Sequence, residues 1–159
     1  MKVYAGHEIW TRGWHIDETG VIYMGPTPLT AHQLHGMQPV LLVPDVRATV
    51  AFYRDQLGFH DDFVVGDPPV HARVVADPTY ASPTVHIRFE PLPPGGTLTP
   101  SAYLWLHVGR GLDELHDLYR SRGVRILEKP EDKPWGLRQF QIEDCNGYVL
   151  CFCAESDAG

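Results

Sequence analysis

Residues 39–59 read PVLLVPDVRATVAFYRDQLGF, and residues 101–152 read SAYLWLHVGRGLDELHDLYRSRGVRILEKPEDKPWGLRQFQIEDCNGYVLCF. Both open on a short apolar run, pass into a stretch with helical spacing, and close that stretch on a glycine. In the first, MQPVLLV is a strand, and Asp45 is an N-cap for VRATVAFYRDQL. Val46, Val50, Tyr53 and Leu57 recur at helical spacing, and Gly58 ends the helix. FHDDFVVG, VHARVVA and PTVHIRFEP follow as three strands. In the second, SAYLWLHV is a strand. LDELHDLYRSRG is a helix with Leu112, Leu115 and Tyr119 on one side and Gly123 at its end. VRILE, LRQFQIED and GYVLCFC complete three more strands. A βαβββ order therefore occurs twice, and an internal repeat decides the architecture before any single residue does. The fold class expected is α+β.

The expected organisation is an N-terminal extension over residues 1–36, a first βαβββ module over 37–92, a linker over 93–100 and a second module over 101–155. The linker, within PLPPGGTLTP, has the Pro/Gly content of a connection. In the extension, GWHIDETGVIYMG reads as a hairpin around Glu18, Thr19 and Gly20. PTPLTAHQLHG reads as a connector.

Composition narrows the function classes. A chain of 159 residues, 43% hydrophobic, can bury a core without metal or disulfide staples. The net charge of −7 argues against a nucleic-acid partner and is compatible with a cationic small molecule. Cys151 and Cys153 lie two apart on one strand, side by side rather than facing, so a disulfide between them is geometrically poor. With Cys145 they suit a reduced, cytoplasmic protein. MKVYAGHEIWTRGW has no apolar signal region, and no apolar run reaches spanning length, so no membrane partner is expected.

Strand parity carries most of the functional information. One face holds Leu41, Val43, Val85, Ile87, Phe89, Leu104, Leu106, Val108, Leu150 and Phe152, and should pack beneath the helices. The other holds Gln38, Val40, Leu42, Thr84, His86, Arg88, Tyr103, Trp105, His107, Val149, Cys151 and Cys153. Aromatic, imidazole, amide and thiol groups suit a concave pocket better than a solvated face. A half-buried second core or a dimer surface is the alternative.

These stretches resemble the vicinal oxygen chelate superfamily, which includes glyoxalase I, extradiol dioxygenases, fosfomycin-resistance enzymes and bleomycin-resistance proteins. The likeness rests on the Asp before the first helix, on the FYxxxLGF stretch, and on PWGxRxFxxxDxxGxxxxF in the second module. It spans about residues 37–154. It implies two βαβββ repeats curled into an open, U-shaped, eight-stranded sheet around a cavity, with the helices outside. Metal-using members place ligands on the first and last strands of each module, here at Gln38, His86, Tyr103 and Cys151.

That set has one amide, one imidazole, one phenol and one thiol, and no carboxylate, whereas an oxygen-chelating divalent metal favours carboxylate and imidazole. The expectation is a protein without a cofactor, resembling the metal-free, bleomycin-resistance-like subgroup. It would be a homodimer that sequesters an aromatic or cationic, antibiotic-like molecule in a cavity without converting it. The expected ligand-binding residues are Gln38, His86, Tyr103, Trp105, Trp135 and Cys151, with none catalytic. Trp105 and Trp135 would stack on a flat group, and Asp61, Asp62 and Asp67 could draw in a cation. The alternative is a metal-dependent lyase, transferase or dioxygenase that holds Zn, Ni, Mn or Fe on Gln38, His86, Tyr103 and Cys151.

Other features carry less. His7, His15, His32 and His35 match no ligand spacing. Gly95 and Gly96 are not placed between a strand and a helix, so they form no phosphate loop. His60, His71 and His107 stand singly. Cys151 and His86 could pair across the cavity, but no third group orients them for nucleophilic catalysis.

Overall fold

The structure is a computed structural model and describes residues 14–16, 22–24, 37–79 and 85–156. Two compact units make up the chain, residues 1–37 and 38–159. In the first, β1 (Trp14–Ile16) pairs antiparallel with β2 (Ile22–Met24), Trp14 opposite Met24 and Ile16 opposite Ile22. This is the hairpin expected there. Its turn at Glu18, Thr19 and Gly20 lies outside the described residues, as do His7, His32, His35 and Thr84.

The second unit holds both modules. The first runs β3 (Val40–Val43), α1 (Val46–Asp55), β4 (His60–Val65), β5 (His71–Val75) and β6 (His86–Pro91). The second runs β7 (Tyr103–His107), α2 (Leu112–Ser121), β8 (Arg125–Asp132), β9 (Leu137–Glu143) and β10 (Val149–Glu155). Each module hydrogen-bonds its strands into its own four-stranded sheet, in the orders β3-β6-β5-β4 and β7-β10-β9-β8. In both, the first strand lies parallel to the last and the remaining pairs are antiparallel.

The helices form where spacing and caps place them. The Asp45 carboxylate accepts from the Ala48 N–H at 2.9 Å, capping α1. α2 begins instead on Gly111, at φ 74°, where a side chain would be strained and no side-chain cap exists. Both helices cover the apolar faces. Leu41, Val43, Ile87, Phe89, Phe140, Ile142, Leu150 and Phe152 form one buried cluster with Tyr53 and Tyr119. α2 also buries His116, edge-on to Phe140 with ring centroids 5.5 Å apart.

Two strands depart from simple alternation. β8 extends to Asp132 through Pro130, which an edge strand tolerates because no ladder donor is lost on its open side. Its register shifts between Ile126 and Glu128, and that of β4 shifts between Asp61 and Phe63. A bulge returns the next side chain to the same or the opposite face out of turn. Ile126 therefore packs on the core, while Glu128 stands opposite Gln141.

The EDCNG turn joins the modules. Asp144 is buried and accepts from the Tyr53 hydroxyl (2.9 Å) and from the N–H groups of Asn146 (2.8 Å) and Tyr148 (2.9 Å). The Asn146 amide donates to Thr49 Oγ1 at 3.0 Å, and the Tyr148 hydroxyl to the Leu42 carbonyl at 2.8 Å. At the helix ends, the Tyr119 hydroxyl donates to the Leu57 carbonyl (3.1 Å) and Arg122 to that of Gln56 (3.0 Å). No helix among the described residues is long and apolar enough to cross a membrane.

Candidate functional site

The strand faces turned away from the helices carry two polar assemblies, one on each sheet. On the first sheet, Gln38 lies just before β3, and β6 brings His86, Arg88 and Glu90 to the same face. The Arg88 Nε–H donates to Gln38 Oε1 at 2.7 Å. That fixes the amide's orientation, so its Nε2 donates to His86 Nδ1 at 2.9 Å. Arg88 Nη1 donates to His71 Nε2 at 3.1 Å, and His71 Nδ1 donates in turn to Glu90 Oε1 at 3.0 Å. His71 is thus the neutral Nδ1–H tautomer. Phe63 lies beneath this layer, stacked on His71 at 5.4 Å, with the guanidinium carbons of Arg73 and Arg88 at 5.1 and 5.8 Å from its ring centre.

On the second sheet, register sets Trp105, Cys151, Gln141 and Glu128 in one row across the four strands. The Tyr103 hydroxyl lies beside the Cys151 thiol. Burial, then this neighbouring thiol, pushes Tyr103 up to about 12. Burial likewise raises the Cys151 thiol. Gln141 donates to Glu128 Oε2 at 2.6 Å, and Lys133 bonds both Glu128 and Glu131. The next row holds His107, Cys153 and Gln139. Cys153 Sγ lies 3.6 Å from His107 Nδ1, so the Cys–His contact of this face belongs to Cys153 and His107. Cys151 and Cys153 are fully buried, whereas Tyr103 and Trp105 are 46% and 43% exposed, their ring centres 6.2 Å apart. The cysteines form the floor of this face and the aromatics its open surface.

Of the expected site residues, Gln38 is therefore hydrogen-bonded to His86, Tyr103 lies beside Cys151, and Trp105 stands opposite Cys151 in register. Trp135 is apart from them, 59% exposed in the tight turn between β8 and β9, where Gly136 N–H bonds the Lys133 carbonyl at 3.0 Å. Asp61, Asp62 and Asp67 are ion-paired to Arg54, Arg73 and Arg47. His71, Glu90, Phe63 and Glu128 join the two assemblies and were not expected there. His71 was legible in β5's alternation, two before Arg73, whereas the bulges that aim Phe63 and Glu128 leave no signal in a period of two.

The donor set fits a divalent metal poorly. A cation at Gln38 would lie against the Arg88 guanidinium and compete with it for Oε1. A thiol and a phenol, both raised, would each have to lose a proton, the thiol in a fully buried setting. Glu128, the carboxylate nearest to them, is already bound by Lys133 and Gln141. Among the described residues, no three His, Cys, Asp or Glu side chains cluster as a metal site would require.

A separate cavity of about 200 Å³ opens on the core side of the sheets, where the modules meet. Leu57, Phe59, Leu106, Leu115, Tyr119 and Phe152 line most of it, and none of the expected site residues does.

The sequence profile of the Glyoxalase/Bleomycin resistance protein/Dioxygenase superfamily matches residues 33–152. Solved structures of similar fold include a glyoxalase-related enzyme from Clostridium phytofermentans, 21% identical with a TM-score of 0.64, covering 79% of this chain and 98% of its own. A superfamily member from Sphaerobacter thermophilus is 25% identical with a TM-score of 0.62, covering 78% and 99%. A glyoxalase/bleomycin resistance protein/dioxygenase from Nocardioides is 19% identical with a TM-score of 0.63, covering 82% and 89%. A search of curated proteins found no match.

Proposed function

The chain belongs to the Glyoxalase/Bleomycin resistance protein/Dioxygenase superfamily, and from that premise we propose that it binds a small aromatic molecule without a metal and without converting it. Sequestration of an antibiotic-like compound by a homodimer, in a reducing cytoplasm, is the full form of the reading. One observation carries it. The four positions that the family resemblance assigns to metal ligands hold Gln38, His86, Tyr103 and Cys151; Gln38 is closed into hydrogen bonds with His86 and Arg88, and Tyr103 stands beside the buried Cys151 thiol. What faces outward instead is a pair of half-exposed rings, Tyr103 and Trp105, over a thiol and amide floor. Such rings give a flat ligand apolar area and stacking.

The aromatic part of the reading has more support than the cationic part, because Asp61, Asp62 and Asp67 already have arginine partners. Half-exposed Val40 and Leu42 beside Gln38 suit a face that a second copy covers. The test is elemental analysis of purified protein with and without incubation in Zn, Ni, Mn and Fe(II), followed by a thermal-shift screen of flat aromatic drugs. The expected result is metal at background and stabilisation by a subset of the drugs. Stoichiometric metal that is lost in His86→Ala or Cys151→Ala would overturn the reading in favour of metal-dependent lyase, transferase or dioxygenase chemistry.

A further inference from the structure

Arg88 is a half-buried cation whose hydrogen-bond partners are both neutral. Its Nε–H is taken by the Gln38 amide and one Nη1–H by the His71 imidazole. Among the described residues no carboxylate bonds it. Glu90 reaches it only through His71, and Asp62 is bound to Arg73. By contrast, Arg47, Arg54, Arg73, Arg125 and Arg138 each pair with a carboxylate, and Arg122 donates to a backbone carbonyl. The Arg88 guanidinium also lies over the Phe63 ring, 5.8 Å from its centre.

A partly desolvated guanidinium without a bonded anion is electrostatically incomplete. Gln38 and His71 orient it from two directions, and among the described residues its charge has no bonded anion and its Nη2 donors no partner. From this we propose that Arg88 is an oxyanion subsite: the ligand carries a carboxylate or similar oxygen anion that docks on Arg88, held in place by Gln38, His71 and Phe63. The proposal rests on the small-molecule-binding reading and narrows its ligand to an aromatic acid. It also gives Gln38 a role at a position where a metal ligand would otherwise stand. Gln38 positions a cation that belongs to the protein itself.

The probes are 2-naphthoate and its neutral isostere 2-naphthamide, titrated into the full chain by calorimetry and by NMR of arginine Nε–H groups. Naphthoate should bind roughly tenfold to a hundredfold more tightly than the amide, as one charge-assisted contact allows. The preference should weaken with added salt and vanish in Arg88→Met. Arg88→Lys should keep part of it. In the wild-type protein the Arg88 Nε–H resonance should move with naphthoate and stay with naphthamide, a readout that needs no variant to fold. Equal affinity for the two probes, or an undiminished preference in folded Arg88→Met, would overturn the subsite and leave aromatic binding standing. Failure of both probes to bind folded protein would count against the subsite and the binding reading together.

Discussion

Trp105 is the residue whose truncation separates binding from folding. It projects from edge strand β7 with nearly half its surface in water, so folding gains little from it. Trp105→Ala should change stability by under about 1 kcal/mol, within the range of surface substitutions and modest lost contacts. Affinity for a flat ligand should fall roughly threefold to tenfold from lost stacking alone. Unchanged affinity in the folded variant would remove the aromatic pair from the site. Asp144 is the opposite kind of residue, buried and joined to three donors. Burial holds its carboxyl above the usual range despite those bonds. The folded state thus binds this proton more tightly than the unfolded chain does. Its contribution to stability is fully present in acid and is lost as pH rises from about 4 through the raised value. Asp144→Asn keeps an acceptor for the two backbone N–H groups and removes the charge. Wild type should therefore lose stability relative to Asp144→Asn as pH rises, measured by urea unfolding between pH 4 and 7. The reverse slope would show that the hydrogen bonds outweigh the burial.

At the scale of elements, the two helices differ in how their first turns are satisfied. Asp45→Ala should cost about 1 kcal/mol by removing the bond to Ala48 N–H, with no effect on ligand affinity. Chemical denaturation of the variant checks the first part and calorimetry the second. All eight module strands and both helices were legible, because apolar spacing of 3.6 and of 2 records which side of an element is buried. Gly58 and Gly123 marked the helix ends for a stated reason, the positive φ each adopts. Alternation failed where the backbone inserts a residue. The bulge in β8 moves Glu128 off the core side, so the second sheet does carry a carboxylate that a reading by parity omits. The bulge in β4 does the same for Phe63, the ring under Arg88. Candidate site residues were therefore legible as members of a face. Their partners were not, because a hydrogen bond such as Gln38 to His86 spans 48 residues and depends on strand order.

At the scale of the molecule, the repeat is visible in the sequence but the joint between its copies is not. The DCNGY stretch reads as a turn. In the fold it is a plug, with Asp144 on Tyr53, Asn146 on Thr49 and Tyr148 on the Leu42 carbonyl. Each of these bonds crosses from the second module to the first, and two more tie the C-terminal end of α1 to α2. The buried cluster likewise draws on both modules without interruption. The helix-side packing of the two sheets is thus one cluster, and Tyr53 ties its first-module part to Asp144 of the second. The two modules should unfold together. Urea denaturation of a Trp10→Phe, Trp14→Phe chain should give one transition that coincides by far-UV circular dichroism and by tryptophan fluorescence, whose remaining reporters Trp105 and Trp135 lie in the second module. Tyr53→Phe should lower the midpoint by leaving Asp144 without its hydroxyl donor, at a cost of about 1–3 kcal/mol for a buried acceptor. It should keep the transition single, because the apolar contacts across the joint remain. Two separated transitions in that protein, with tryptophan fluorescence following only one, would show that the modules are independent domains and that the plug is a surface contact between them.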